Sequence, residues 1–398
     1  GRAAKVLASY AGAPAMTIHK KIYQLKNTGE GLVTLSLAPN LHKNTLFIVD
    51  EASMIPDDSI PRDGNLFTNQ RLLDDLMNYV WSGINCRMVL IGDEAQLPPV
   101  DIDISPALDM KYLKTNYHLN IFYFELQDVV RQSLDSGILS NATGIRENLD
   151  SRGIVPLLST ESFNDVVPIT GELLEDYLQQ AFHDTHAEES VIVTRSNKRA
   201  NIFNQEVRKR ILLREGEIAA GDLLMIVKNN YFWVPKNSKT GFLANGDMIE
   251  IMRIGKHEEL YGFHFADITG RLIDYPGEND ITLKIMMDTL MLDGPSLSNA
   301  AINSFMEEVM KDYDDIPSRR KKIEKVKNNP HFNAVQVKFG YALTCHKTQG
   351  GQWENVFIDL GYVNEEHVDK SFYRWLYTAF TRAKSKLYTI NFPEGFFK

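Results

Sequence analysis

Cysteine is scarce in this 398-residue chain: Cys86 and Cys345 form no Cys-x-x-Cys pair, which excludes a disulfide scaffold and argues against a zinc site. Both thiols are expected to be reduced. No apolar run approaches the roughly 18 residues of a membrane helix, and residues 1 to 20 lack the charged start and apolar centre of a signal peptide. A cytoplasmic protein without a membrane segment is expected. Basic excess is missing too, since the net charge is -9, and this at first sight opposes nucleic-acid binding, in which Lys and Arg meet phosphates. A glycine-rich loop closing on Gly-Lys-Ser or Gly-Lys-Thr, the usual phosphate cradle, occurs nowhere in the sequence.

What is present, 43% hydrophobic and 24% charged residues, suffices for two or three domains with their own cores. Charge is distributed unevenly. Arg195, Lys198, Arg199, Arg208, Lys209, Arg210 and Arg214 form one basic cluster, and Arg319, Arg320, Lys321 and Lys322 another. Either suits a channel wall, and either suits a solvated helix face. Cys345 and His346 are neighbours on a segment that reads as extended, so their side chains should point to opposite faces and not act as a catalytic pair.

Short unalternating apolar runs, "TLFIVDE" (45–51), "RMVLIGDEAQ" (87–96), "SVIVTRSN" (190–197) and "NVFIDLG" (355–361), suit strands of parallel sheets buried on both faces, with helices between them. Two α/β lobes follow, over 1–133 and over 134–215 with 336–398. Between the two parts of the second lobe, residues 216–335 read as an inserted domain of short strands and Asn/Gly turns with a charged helical extension. Near the start, "IYQLKNTGEGLVTLSL" (22–37) reads as a hairpin, or as a plain connection.

Asp50 and Glu51 follow a strand, where α/β sheets place ligands. An Asp there can hold Mg²⁺ and a Glu can polarise an attacking water, although the pair equally suits a helix-start cap. "GDEAQLPPV" (92–100) adds Gln96, an uncharged group able to sense a terminal phosphate, stiffened by two prolines. Arg131 and Arg382 are candidates for stabilising charge on a transferring phosphoryl group, worth roughly 10³ to 10⁵ in rate. In "YALTCHKTQGGQWENVFIDL" (341–360), Thr344, His346, Lys347 and Gln349 precede Gly350-Gly351, whose backbone can approach a ligand. "PAMTIHKK" (14–21) repeats the Thr-x-His-Lys pattern with Thr17 and His19.

In this order the motifs resemble the superfamily 1 DNA helicases that move five-prime to three-prime, the RecD/Dda-like group. "GRAAKVLASYAGAPAMTIHKK" is similar to their motif Ia region, "VDEAS" to motif II, "GDEAQLPPV" to motif III, "VVRQ" to the arginine motif, and "YALTCHKTQGGQWENV" and "LYTAFTRAKSKL" to motifs V and VI. The resemblance covers nearly the whole chain. It implies two RecA-like lobes, an SH3-like insertion and a strand-splitting pin at the hairpin. It also implies ATP and Mg²⁺ as cofactors: Asp50 on the metal, Glu51 on water, and Gln96, Arg131, Arg382 and Gly350 about the phosphates. Single-stranded and forked DNA are the implied partners, over Thr17, His19, Asn197, Thr344, His346 and Lys347, with recombination or repair proteins and a monomeric complete enzyme.

The family's first strand and phosphate loop precede motif Ia, whereas this chain opens inside it, so the expectation is a fragment of a longer helicase, inactive without its upstream loop. The rival expectation is a non-catalytic nucleic-acid-binding module that has lost the loop. A nuclease would need further clustered carboxylates, and the sequence offers no convincing set.

Overall fold

The computed structural model describes residues 4, 7, 8, 11–13, 15–27, 33–56, 71–99, 102–126, 135–183, 186–234, 241–275, 277–363 and 367–398. Two compact units are present, Ala3–Asp128 with Met310–Val326, and Val129–Val309 with Lys327–Lys398.

In the first unit a short helix, Ile18–Ile22, leads into antiparallel strands β1 (Tyr23–Asn27) and β2 (Val33–Leu37), with Tyr23 opposite Leu37 and Asn27 opposite Val33. The turn expected between them lies outside the described residues. Strands β3 (Leu46–Val49) and β4 (Arg87–Leu90) are parallel, which demands a crossover, and the helix Leu72–Ser82 lies in it. Its apolar side, Leu73, Leu76, Met77 and Val80, recurs at helical spacing and shares a core with Phe47, Val49, Met88 and Leu90. Side chains alternate along a strand, so Leu46, Ile48 and Val89 face the other way, where they are 55%, 57% and 41% exposed. The burial on both faces expected of these two runs is therefore met on one face only.

The second unit continues with β5 (Val166–Ile169), β6 (Ser190–Thr194), β7 (Leu223–Ile226), β8 (Met248–Leu260), β9 (Phe263–Leu272), β10 (Ile281–Met286), β11 (Val335–Phe339), β12 (Ala342–Thr344), β13 (Trp353–Asp359) and β14 (Ala383–Ile390). Strands β12, β6, β13, β14 and β5 form, in that order, a sheet in which all neighbours are parallel. Here β6 is buried throughout, as its unalternating sequence requires. Strands β7 to β11 close a barrel in the order β10, β11, β7, β8, β9. The fold is α/β, with two described parallel strands in the first unit, an all-parallel five-stranded sheet in the second, and a small barrel between β6 and β12 in chain order.

Asp222, fully buried, joins barrel to sheet. It accepts from Arg208 Nη2 at 2.9 Å, Arg214 Nη1 at 2.9 Å, the Tyr341 hydroxyl at 3.1 Å and the Ala219 amide at 2.7 Å. Arg208 also stacks 4.4 Å over the Phe339 ring. Four donors offset the desolvation of one carboxylate, the condition under which a buried ion pair is tolerated. Arg199 pairs in the same way with buried Asp359, and Arg210 with Glu175 and Glu206. Much of the first basic cluster thus serves ion pairs within its own unit.

Candidate functional site

The carboxyl ends of β3 and β4 are locked together by two backbone bonds, Ile91 N–H to Val49 O and Ala52 N–H to Ile91 O, both 2.8 Å. Asp50 and Glu51 lie between those rungs and are displayed at the sheet edge. Glu51 adopts a left-handed backbone, φ 54° and ψ 39°, where a non-glycine residue is uncommon, and it heads a single turn at Ala52–Met54. Asp50 Oδ1 accepts from the Glu51 amide at 2.9 Å, and the carboxylate is otherwise exposed. The buried Ser105 hydroxyl braces the turn against the Ala52 and Ile55 carbonyls, at 2.9 and 2.7 Å.

Gly92 has no substitute here. A Cβ would sit 2.8 Å from the Ser53 backbone nitrogen and 2.8 Å from Leu108 Cδ1, so only glycine lets β4 leave the sheet beside the Asp50-Glu51 turn. The following loop turns on Asp93, whose Oδ1 accepts from the Ala95 amide at 3.0 Å and whose carbonyl accepts from the Gln96 amide at 3.2 Å. Ala95 and Leu97 point inward, leaving Gln96 half-buried at the same sheet edge as Asp50 and Glu51. Among the described residues no cluster of three His, Cys, Asp or Glu side chains could hold a metal ion.

In the second unit Thr344 ends β12 at the level of Thr194, the carboxyl end of β6, and Asn197 opens the helix Asn197–Glu206 at that edge. The segment expected to continue extended instead turns helical at Cys345–Thr348. The Cys345 thiol is buried, donates to the Trp375 carbonyl at 3.5 Å and is pushed up to about 12 by burial, whereas His346 is exposed. The two still make no catalytic pair.

The chain then crosses to the opposite edge. Gly350, at φ 73°, and Gly351 precede Trp353, whose amide donates to the Arg382 carbonyl at 3.0 Å where β14 begins. Arg382 is 3% exposed, and its guanidinium donates to the carbonyls of Thr378 at 3.0 Å, Gly351 at 3.2 Å and Thr348 at 3.5 Å, and to Thr381 Oγ1 at 3.0 Å. In this state it ties the glycine loop to the start of β14. Gly350 and Arg382 thus meet at the amino edge of the sheet, and Thr344 and Asn197 lie at its carboxyl edge.

In the first unit Thr17 Oγ1 caps its helix by accepting from the Lys20 amide at 3.3 Å, and His19 is exposed with its ring 5.6 Å from that of Tyr23. Arg131 lies outside the described residues. Sequence reasoning passed over Lys338. The signal was there, in the polar residues Gln336 and Lys338 at period-two spacing in β11, and the structure buries both, at 9% and 5% exposure.

Carboxylates thus follow a parallel strand in the first unit, and in the second unit a glycine loop and an arginine meet at a sheet edge. The family model for the AAA domain matches residues 1–157 and that for the UvrD-like helicase C-terminal domain matches 339–390, which supports a helicase of superfamily 1. A relative from Acanthamoeba polyphaga mimivirus, an uncharacterized protein, is 21% identical over 397 residues, spanning 87% of this chain and 74% of its own length. Among solved structures, the Pif1 helicase of Candida albicans is 14% identical with a TM-score of 0.45, covering 88% of this chain and 72% of its own. Bacteroides Pif1 bound to ssDNA is 13% identical with a TM-score of 0.45, covering 98% and 86%.

Proposed function

We propose that this chain carries the working parts of an ATP-driven DNA helicase that moves five-prime to three-prime along a single strand and opens duplex ahead of it. One observation carries the reading: the second unit's sheet presents Gly350 and Arg382 at one edge and Thr344 and Asn197 at the other. A single rigid sheet with phosphate-directed groups at one end and strand-directed groups at the other is the arrangement that coupling of hydrolysis to stepping needs.

In this reading Asp50 would hold Mg²⁺, which would supply neutralisation of phosphate charge when bound with nucleotide. Glu51 orients and polarises the attacking water, and Gln96 senses the terminal phosphate. Arg131 and Arg382 stabilise transition-state charge, Arg382 after exchanging its Gly351 and Thr348 carbonyls for phosphate oxygens. Thr17, His19, Thr344, His346 and Lys347 grip the strand, the β1–β2 hairpin is the wedge, and the barrel is an SH3-like insertion. Phosphate binding in such sites depends on a ring of backbone N–H groups and a Lys, which these 398 residues do not supply in recognisable form, so the chain by itself binds single-stranded DNA without useful turnover.

Two assays on the chain as given decide this. Anisotropy with a labelled oligonucleotide is expected to show salt-sensitive binding, and a phosphate-release assay with Mg²⁺ and the same oligonucleotide is expected to show none above background. Absence of binding would remove the helicase reading. Robust hydrolysis abolished by Glu51→Gln would remove the inactivity and demand an unrecognised phosphate cradle.

A further inference from the structure

Lys338 projects from the barrel strand β11 and is 5% exposed, and Lys347 is half-buried on the short helix after Thr344. Both ammonium groups reach the same loop: Lys338 Nζ donates to the Leu292 carbonyl, and Lys347 Nζ to the Pro295 carbonyl at 3.4 Å. The loop is held by Gln336 Oε1, which accepts from the Leu297 amide at 3.0 Å, and by Thr289, bonded in both directions to Val337. Burial, and after it the charge of Lys338, lowers Lys347 to about 8, and burial lowers Lys338 as well. Asp293 attracts Lys338, yet among the described residues the hydrogen-bond acceptors of both lysines are main-chain carbonyls.

A tether for a loop needs one neutral donor. Two adjacent, partly desolvated cations, each with a single main-chain acceptor and two N–H donors to spare, are costly unless an anion completes them. We propose that Lys338 and Lys347 together seat one phosphate group of the bound strand, Lys347 from the open side and Lys338 from behind it. This rests on the nucleic-acid reading of the second unit and adds Lys338, a barrel residue, to it. A phosphodiester oxygen pair accepts from both ammonium groups at once, relieves their repulsion and ties the barrel to the strand held at Thr344.

The test uses the full chain and a fluorescent oligothymidylate in a salt titration, with Lys338→Met, Lys338→Arg and Lys347→Ala. Lys338→Met is expected to weaken binding roughly 10-fold, the size of a charge-assisted hydrogen bond, and to reduce the salt slope by about 0.7, the loss of one neutralised phosphate on a single strand. Lys347→Ala should do the same and Lys338→Arg should retain the slope. If Lys347→Ala weakens binding and Lys338→Met leaves affinity and slope as in the parent, the seat is overturned and the nucleic-acid reading stands. If the parent does not bind the oligonucleotide, that reading fails, and inorganic phosphate at constant ionic strength decides the seat. Thermal stabilisation of the parent that is absent in Lys338→Met supports a seat for free phosphate, and no stabilisation overturns it. Folding of each variant is checked by circular dichroism, and removal of a buried charge is expected to leave it intact.

Discussion

Replacing Arg382 by Ala tests whether the inward guanidinium is the resting state of the second unit. The side chain is 3% exposed, and the short contacts to the Thr378 carbonyl at 3.0 Å and the Gly351 carbonyl at 3.2 Å dominate its hydrogen bonding, since Thr348 at 3.5 Å is at the limit of a useful bond. Truncation strands the buried Gly351 carbonyl, whereas the Thr378 carbonyl still accepts from Thr381 Oγ1 at 3.0 Å, so a loss of about 1 to 3 kcal/mol is expected. Arg382→Lys, with one compact ammonium in place of a fork, recovers part of it. Trp353 provides a local reporter: it is buried, starts β13, and its amide donates to the Arg382 carbonyl. Denaturant unfolding followed by tryptophan fluorescence gives the stability change, and hydrogen exchange at the Gly351 and Trp353 amides shows whether the loop has loosened. An Ala variant with the parent's unfolding midpoint and unchanged exchange at both amides would refute this. The guanidinium would then be free of the loop, and its whole role would lie with phosphate.

Three further outcomes are expected. Gly92→Ala drives a Cβ into the Ser53 backbone at 2.8 Å, which cannot yield as a side-chain end would, and should lower the stability of the first unit by about 1 to 3 kcal/mol while displacing the Asp50-Glu51 turn. An unchanged unfolding midpoint would mean that the strand ends are farther apart than they stand here. For Lys347 the folded pKa, about 8, lies below the ordinary value of 10.5, so the unfolded chain holds more protons between those values. Stability should therefore rise with pH from about 8 to 10.5, the penalty being complete below about 8, and oligonucleotide affinity should fall over the same rise as the ammonium is lost; a Lys347→Met variant with the same two pH profiles would contradict the assignment. Shortening the β1–β2 hairpin between Lys26 and Leu32 should abolish unwinding by the complete enzyme and spare hydrolysis driven by single-stranded DNA, and equal loss of both would make it a folding element.

Local chemistry was legible in the sequence. Apolar runs ending in Asp50-Glu51 and in Gly92-Asp93 marked strand ends, because such runs fit a sheet interior and small or charged residues do not, and Asn-Thr-Gly-Glu-Gly marked a reversal between β1 and β2. Motif order pointed to the superfamily 1 helicases, which the matches to the AAA-domain and UvrD-like helicase C-terminal models support. Tertiary structure alone decided which side chains are spent on the fold. Arg208 and Arg199 looked like cationic surface until Asp222, 14 residues away, and Asp359, 160 residues away, were brought to them. Thr344 and Gly350 are six positions apart in one motif, yet they stand at opposite edges of a sheet, because the parallel pairing of β12 and β13 with β6 forces the intervening segment to cross it. Lys338, which sequence reasoning passed over, is buried and donates to the Leu292 carbonyl of the loop at 291–295. Strand direction, register and the covering of a face depend on contacts between distant residues, so spacing along the chain carries no record of them.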